Sequence, residues 1–207
     1  MSEVTVRRAT MADLEEVVSV LGGALEENVL IRYLVRPDKQ RGEAVRRLLR
    51  EFGQRYYLPA GASWVAEQGD AIVGAAFVAP PAGKTGYGLR DSLRAMRQTI
   101  RITRLRGLWR AGQAGGFLNY IHPRTPHFYL YQVGASAEVG ELEGKAIVDG
   151  LLRAVTERAD EAGMPIYAES AEESVLETYT RHRFELKDAA ALPGGPTLQL
   201  FWRSPVE

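Results

Sequence analysis

The stretch between residues 127 and 169 constrains this chain most. His127–Gly134 is an aromatic and apolar run (Phe128, Tyr129, Leu130, Tyr131, Val133) and reads as a strand. The spacing that follows predicts a helix over 143–162, with Ile147, Leu151, Ala154, Val155 and Ala159 as its apolar stripe. Gly163 and Pro165 are a strong stop signal. Pro165–Glu169 then reads as a second strand. Strand, helix and strand in this order require a sheet with a helix packed on it.

The rest of the chain supplies the remaining layers. Val4, Val6 and Arg8 alternate with Thr5 and Arg7 in a short strand. Thr10 caps a helix, with Asp13 three residues on and Leu14, Val17, Val18 and Leu21 as its stripe, broken at Gly22-Gly23. Two more helical stretches are expected, over 25–35 and 41–57. Strands over 62–67 and 71–79 flank the turn Gln68-Gly69-Asp70. A short helix over 172–182 and strands over 184–188 and 197–203 complete the order. The pattern gives a mixed α/β layer on one sheet, with too few strand-helix-strand units for a long parallel Rossmann sheet.

Composition removes several functions. The chain has 207 residues, which suits one domain spanning 1–207. It contains no cysteine, so disulfides, thiolate metal sites and a cysteine nucleophile are excluded. Lys plus Arg and Asp plus Glu both number 26, which gives no pull toward nucleic acid or membrane. Met1–Thr10 has no signal-peptide core, and no apolar run approaches the ~20 residues of a membrane span. A cytoplasmic protein, monomeric or homodimeric, is expected.

Between the third and fourth strands, residues 89–110 read as a long amphipathic helical stretch, with Gly107 as a candidate break. Arg90, Arg94, Arg97, Arg101 and Arg104 share one of its faces. That stripe reads either as an anion-binding surface or as the solvated face of a packed helix. Balanced net charge and the lack of interleaved aromatics favour the second.

Several strings resemble the GCN5-related N-acetyltransferase (GNAT) family. They are Val6-Arg7-Arg8-Ala9-Thr10 with Asp13, His122-Pro123-Arg124-Thr125-Pro126-His127-Phe128-Tyr129-Leu130, and Leu151-Leu152 with Glu157-Arg158-Ala159-Asp160. Tyr179, Arg181-His182 and Phe184, and then Leu192-Pro193-Gly194-Gly195-Pro196, extend the likeness to the end of the chain. The branch most similar includes puromycin N-acetyltransferase. The resemblance implies a central mixed β-sheet flanked by helices, with a long helical insertion between strands 3 and 4. It implies acetyl-CoA wedged between two splayed central strands, its pyrophosphate on the N–H groups that open the following helix. Tyr131, Val133, Gly144, Lys145 and Ala146 are the cofactor-binding positions it implies. Tyr179 takes the place of the tyrosine that protonates the CoA thiolate, although a packed core tyrosine is an equal reading. Glu169 is the candidate base, with a salt bridge or solvated strand end as the plainer reading. The acceptor is a small-molecule amine.

The pyrophosphate loop departs from the family pattern. Aligned on Leu151-Leu152, Glu143 stands where Gln or Arg is expected, and Val148 stands where a small residue would let phosphate approach. Glu138, Glu141 and Glu143 bring the wrong charge, enough to weaken CoA about 10-fold. A second register instead uses Gly140 and Gly144. Val175, Thr178 and Arg183 are further departures, the last at a turn that often needs a permissive backbone. A degenerate loop opens an alternative: a GNAT-fold protein that has left acetyl-CoA and binds or converts another small molecule, as in secondary metabolism. His122, His127 and His182 lack metal-ligand spacing, and His127 reads as structural. Tyr33, Tyr56, Tyr57, Trp64 and Trp109 read either as lining an acceptor pocket or as core aromatics.

Overall fold

A computed structural model describes residues 3–35, 39–81 and 112–206. Strand β1 (Val4–Arg8) leads into a helical turn at Met11–Asp13, where Asp13 closes a capping box with Thr10. Asp13 also takes a two-pronged hydrogen bond from Arg7, at 2.9 and 2.8 Å. That bond, with the Thr10 contacts, holds its carboxyl well down, at about 2, against the opposing effect of burial.

Helix α1 (Leu14–Leu25) runs through Gly22-Gly23 rather than breaking there. The reason is packing. A Cβ on Gly22 would meet Arg46 Cγ at 2.8 Å, so the glycine allows α3 (Arg41–Phe52) to lie close against α1. The second expected helix is shorter than its pattern, as α2 (Val29–Leu34), capped by the Asn28 side chain on the N–H groups of Leu30 and Ile31. The third continues past Phe52 as a π-helical turn over Gly53–Tyr57.

Strands β2 (Trp64–Gln68) and β3 (Ala71–Ala79) form the expected hairpin, with Gly69 at φ 63° in its turn. Residues 112–121 are helical (α4). The arginine stripe, Gly107 and Trp109 lie outside the described residues. Strand β4 (Phe128–Ala135), helix α5 (Glu141–Glu161) and strand β5 (Ile166–Ser170) form the central unit. Gly163, at φ 60°, stops α5 as its position foretold. Helix α6 (Val175–Arg181) and the hairpin β6 (Glu185–Ala191) and β7 (Thr197–Arg203) finish the chain.

The seven strands lie in the order β1-β2-β3-β4-β5-β7-β6. The pairing of β4 with β5 is parallel and all the others are antiparallel, so the sheet is mixed as expected. Helices α1 and α3 bury Val17, Leu21, Val45 and Leu49 on one face, over Phe77. Helices α5 and α6 bury Leu151, Leu152, Val155 and Tyr179 on the other, against Leu130 and Phe201. Close approach of α5 to the sheet requires Gly74, where a Cβ would stand 2.3 Å from Ile147 Cγ2.

Candidate active site

Two features define the site, a gap in the sheet and a carboxylate beside it. Strands β4 and β5 pair through only three positions, Phe128 with Ile166, Tyr129 with Tyr167 and Leu130 with Ala168. Beyond Leu130, β4 stays on β3 while β5 stays on β7. The strands therefore part, and the β5-facing edge of β4 from Tyr131 onward is not paired with β5. A bulge accompanies the parting: Gln132 lies opposite Phe77 and Leu130 opposite Val78, leaving Tyr131 as the extra residue. The bulge switches the faces of β4. Tyr131 packs toward α1 and α3, whereas Val133 packs with the α5 layer.

Glu169 sits where the strands begin to part. The hydroxyls of Tyr129 and Tyr167 donate to its two oxygens, each at 2.8 Å. These side chains share one sheet face because they lie two residues apart on β5 or directly opposite across β4 and β5. Burial pushes the Glu169 carboxyl above the usual carboxylate range, and the two tyrosine hydrogen bonds only partly offset it. Burial and the adjacent carboxylate together push both tyrosines upward, so they stay protonated donors.

Aromatic rings extend this floor. Tyr129 stacks with Tyr167 at 5.9 Å, and Tyr131 stacks with Tyr57 at 4.8 Å. His122, just past α4, sets its ring edge-on to Tyr129 at 4.9 Å and to Tyr167 at 5.2 Å. Its Nε2 lies 3.2 Å from Nε2 of His127, whose Nδ1 lies 2.6 Å from the Thr125 carbonyl. Burial lowers the proton affinity of both imidazoles. Among the described residues no group of three or more His, Asp or Glu side chains is placed to hold a metal ion.

The remaining expected residues divide. Tyr57 is buried between Phe77 and Tyr131, and Tyr56 packs on Phe52, near the site but within its aromatic wall. Tyr33 reaches out from α2 to donate to the Pro193 carbonyl at 2.8 Å. Trp64 belongs to the α5 face, under the Arg8 guanidinium at 4.0 Å, and does not join the aromatic rings around Glu169. Tyr179 is buried on that same opposite face, with Phe184 at 5.0 Å and Phe201 at 4.9 Å. Its hydroxyl makes no hydrogen bond among the described residues, and burial raises its pKa. His182 faces Asp149, not the other histidines.

Helix α5 starts two residues before the expected position. Gly140 is the N-cap, and the Gly144 N–H already bonds the Gly140 carbonyl at 2.8 Å. Among the described residues the N–H groups of Glu141, Leu142 and Glu143 at the helix start have no acceptor. Gly144, Lys145 and Ala146 lie inside the first turns, where Lys145 pairs with Glu141 at 2.7 Å. Glu143 accepts a 2.8 Å hydrogen bond from Gln68 of β2. Val148 is partly buried and packs against the core beneath α5. Leu142 is 83% exposed at that end.

Sequence reasoning missed Tyr129, Tyr167 and His122. The signal for Tyr167 was its place two residues before Glu169, which puts both on one face of a strand. For Tyr129 and His122 no local signal existed, because their roles arise from strand register and the helix preceding β4.

No family model matches the sequence. Solved structures do match it over nearly its whole length. An acetyltransferase described as histone acetyltransferase HPA2 and related, from Corynebacterium glutamicum, is 24% identical, with 100% of this chain and 98% of that one covered and a TM-score of 0.75. The C-terminal condensation domain of Ebony, solved with beta-alanyl-dopamine, is 12% identical over 99% and 100% of the two chains, at a TM-score of 0.69. Arylalkylamine N-acetyltransferase 2 from Aedes aegypti is 13% identical over 98% and 99%, at 0.63. With the mixed seven-stranded sheet, these likenesses establish that the chain has the GNAT fold.

Proposed function

We propose that this protein is an N-acetyltransferase that moves an acetyl group from acetyl-CoA to a small-molecule amine. The observation that carries the reading is Glu169, a half-buried carboxylate clamped by two tyrosines where β4 and β5 part. Acetyltransferases of polyamines and arylalkylamines share the fold, which supports an amine as acceptor.

The residues suit acetyl-CoA in backbone and oppose it in charge. The β4 edge beyond Leu130 offers peptide groups to an extended, amide-bearing arm, as a sheet edge does to an added strand. Tyr131 and Val133 lie on that stretch. The free N–H groups of Glu141, Leu142 and Glu143 would take the pyrophosphate, with Gly144, Lys145 and Ala146 in the turns behind them. When bound, the coenzyme supplies the activated acetyl group as a thioester. Glu169 attracts the ammonium form of the amine and takes a proton from its nitrogen, and its raised proton affinity favours that transfer. Tyr129 and Tyr167 hold the carboxylate in one orientation for it. Burial keeps Tyr179 protonated at neutral pH, and by the family resemblance it would be the donor to the departing sulfur, reached through the opening between β4 and β5 from the opposite face of the sheet.

Isothermal calorimetry with acetyl-CoA, followed by thiol-release assays over a panel of polyamines and arylalkylamines, tests the reading. Binding with turnover of at least one amine is expected; no heat at millimolar coenzyme would overturn it. A second reading, a GNAT-fold protein that has left acetyl-CoA for another small molecule, draws support from the acidic first turn of α5 and the exposed Leu142. Stoichiometric acetyl-CoA binding would overturn that alternative.

A further inference from the structure

The two histidines beside the tyrosine clamp are joined in a way that fixes their protons. The Thr125 carbonyl can only accept, so His127 Nδ1, 2.6 Å away, carries a hydrogen. A neutral His127 then has its lone pair at Nε2. His122 Nε2, 3.2 Å from it, must be the donor. This leaves Nδ1 of a neutral His122 unprotonated, and it has no partner among the described residues. His127 is buried, whereas His122 is half-exposed on the rings of Tyr129 and Tyr167. Those are the rings whose hydroxyls hold Glu169. The titratable groups against His122 are thus His127, Tyr129 and Tyr167, with Glu169 behind the tyrosines.

Acylation of an ammonium removes two protons from its nitrogen, and only one is returned, to the thiol. Glu169 accounts for a single acceptor.

We propose that His122 is a second proton acceptor of the amine pocket, receiving at Nδ1, and that His127 is the positioning residue that keeps that nitrogen free. The assignment rests on the acetyltransferase reading above. The nitrogen–hydrogen bond of the amine breaks, its electron pair stays on nitrogen, and the proton forms a new bond to Nδ1. The resulting imidazolium still donates from Nε2 to His127. The proton passes to solvent as product leaves. Burial, which disfavours the imidazolium, speeds this return.

Two measurements on the intact protein test the assignment. Long-range nitrogen–proton NMR of the imidazoles is expected to show an Nδ1–H tautomer for His127 and an Nε2–H tautomer for His122. In steady-state kinetics, log kcat/KM of the wild type is expected to fall with a slope approaching two on the acid side. H122F and H122N are expected to lower kcat about 100-fold and leave a slope near one. H127F is expected to lower kcat about 10-fold, while H127Q, whose amide oxygen can accept from His122, stays within about threefold. KM for the amine is expected to stay within about threefold in all four variants. An Nδ1–H tautomer at His122 would overturn the assignment. So would folded His122 variants that keep the wild-type rate and slope in an active enzyme. A wild type that transfers acetyl to no amine would remove the parent reading and the assignment with it, whatever the tautomers.

Discussion

The Tyr129 hydroxyl donates to Glu169 Oε1 at 2.8 Å, across 40 residues of sequence and across the last paired positions of β4 and β5. The bond ties the orientation of the carboxylate to the place where the sheet opens. It also makes Glu169 the residue whose replacement is most informative.

Replacing Glu169 with Gln removes the charge and leaves one amide oxygen to accept from one tyrosine, the amide N–H donating to the other hydroxyl instead. The expected result is a fall in kcat of about 100-fold or more with little change in melting temperature. Thiol release under saturating acetyl-CoA measures the first and a thermal melt the second.

Tyr179→Phe removes a hydroxyl that bonds nothing among the described residues. Stability is expected to change by less than about 0.5 kcal/mol, while kcat falls about 10-fold or more. Equal kcat for the variant and the wild type would leave Tyr179 as a packing residue only.

The acidic start of α5 predicts a gain of function. Glu143→Gln retains the contact with Gln68 and removes a negative charge from the helix N-terminus. Acetyl-CoA is expected to bind about two- to fivefold more tightly by calorimetry, the difference shrinking in high salt.

Asp13 links stability to acid. Its carboxyl is held near about 2 in the fold, below its ordinary value of 3.8, chiefly by the Arg7 hydrogen bonds. A depressed acid contributes stability that is full above its unfolded pKa and is lost as pH falls through the folded one. The gap between wild type and Asp13→Asn is expected to be about 1–2 kcal/mol at neutral pH, discounted because Arg7 is well exposed. It is expected to close between about pH 4 and pH 2. Urea melts at several pH values measure it.

Arg183 holds φ 62°, the left-handed region that favours glycine. Arg183→Gly is expected to stabilise the protein by about 0.5–1 kcal/mol, the relief of strain exceeding the added freedom of the unfolded chain. A melting temperature lower than that of the wild type would contradict this.

The sheet was legible where pattern and neighbours agree. β1, β3 and β7 lie where they were expected: β1 alternates, β3 is an apolar run after the Gln68-Gly69-Asp70 turn, and β7 follows Pro193-Gly194-Gly195-Pro196. The helix through Gly22-Gly23 was not legible, because glycine there serves a contact with Arg46, 24 residues away in sequence. The start of α5 was placed two residues late: Gly140 caps without any side-chain signal, and Leu151-Leu152 fixes the helix face but not its first residue. Glu169 was legible as a strand-end carboxylate. Its tyrosine clamp was not, since Tyr129 reaches it only through the register of two strands joined by a long helix. The histidine pair depends likewise on the chain turning between α4 and β4, which spacing alone does not reveal.

The parting of β4 from β5 has a mechanical consequence. Four strands on one side and three on the other are joined by a ladder of three residue pairs. The sheet is thus two ladders on a short seam backed by α5, and anything that fills the opening acts as the missing rungs. Ligand occupancy is expected to slow amide exchange at residues 128–130 and 166–168, the seam itself, more than in the outer strands. The seam becomes a built-in gauge of whether the gap is full.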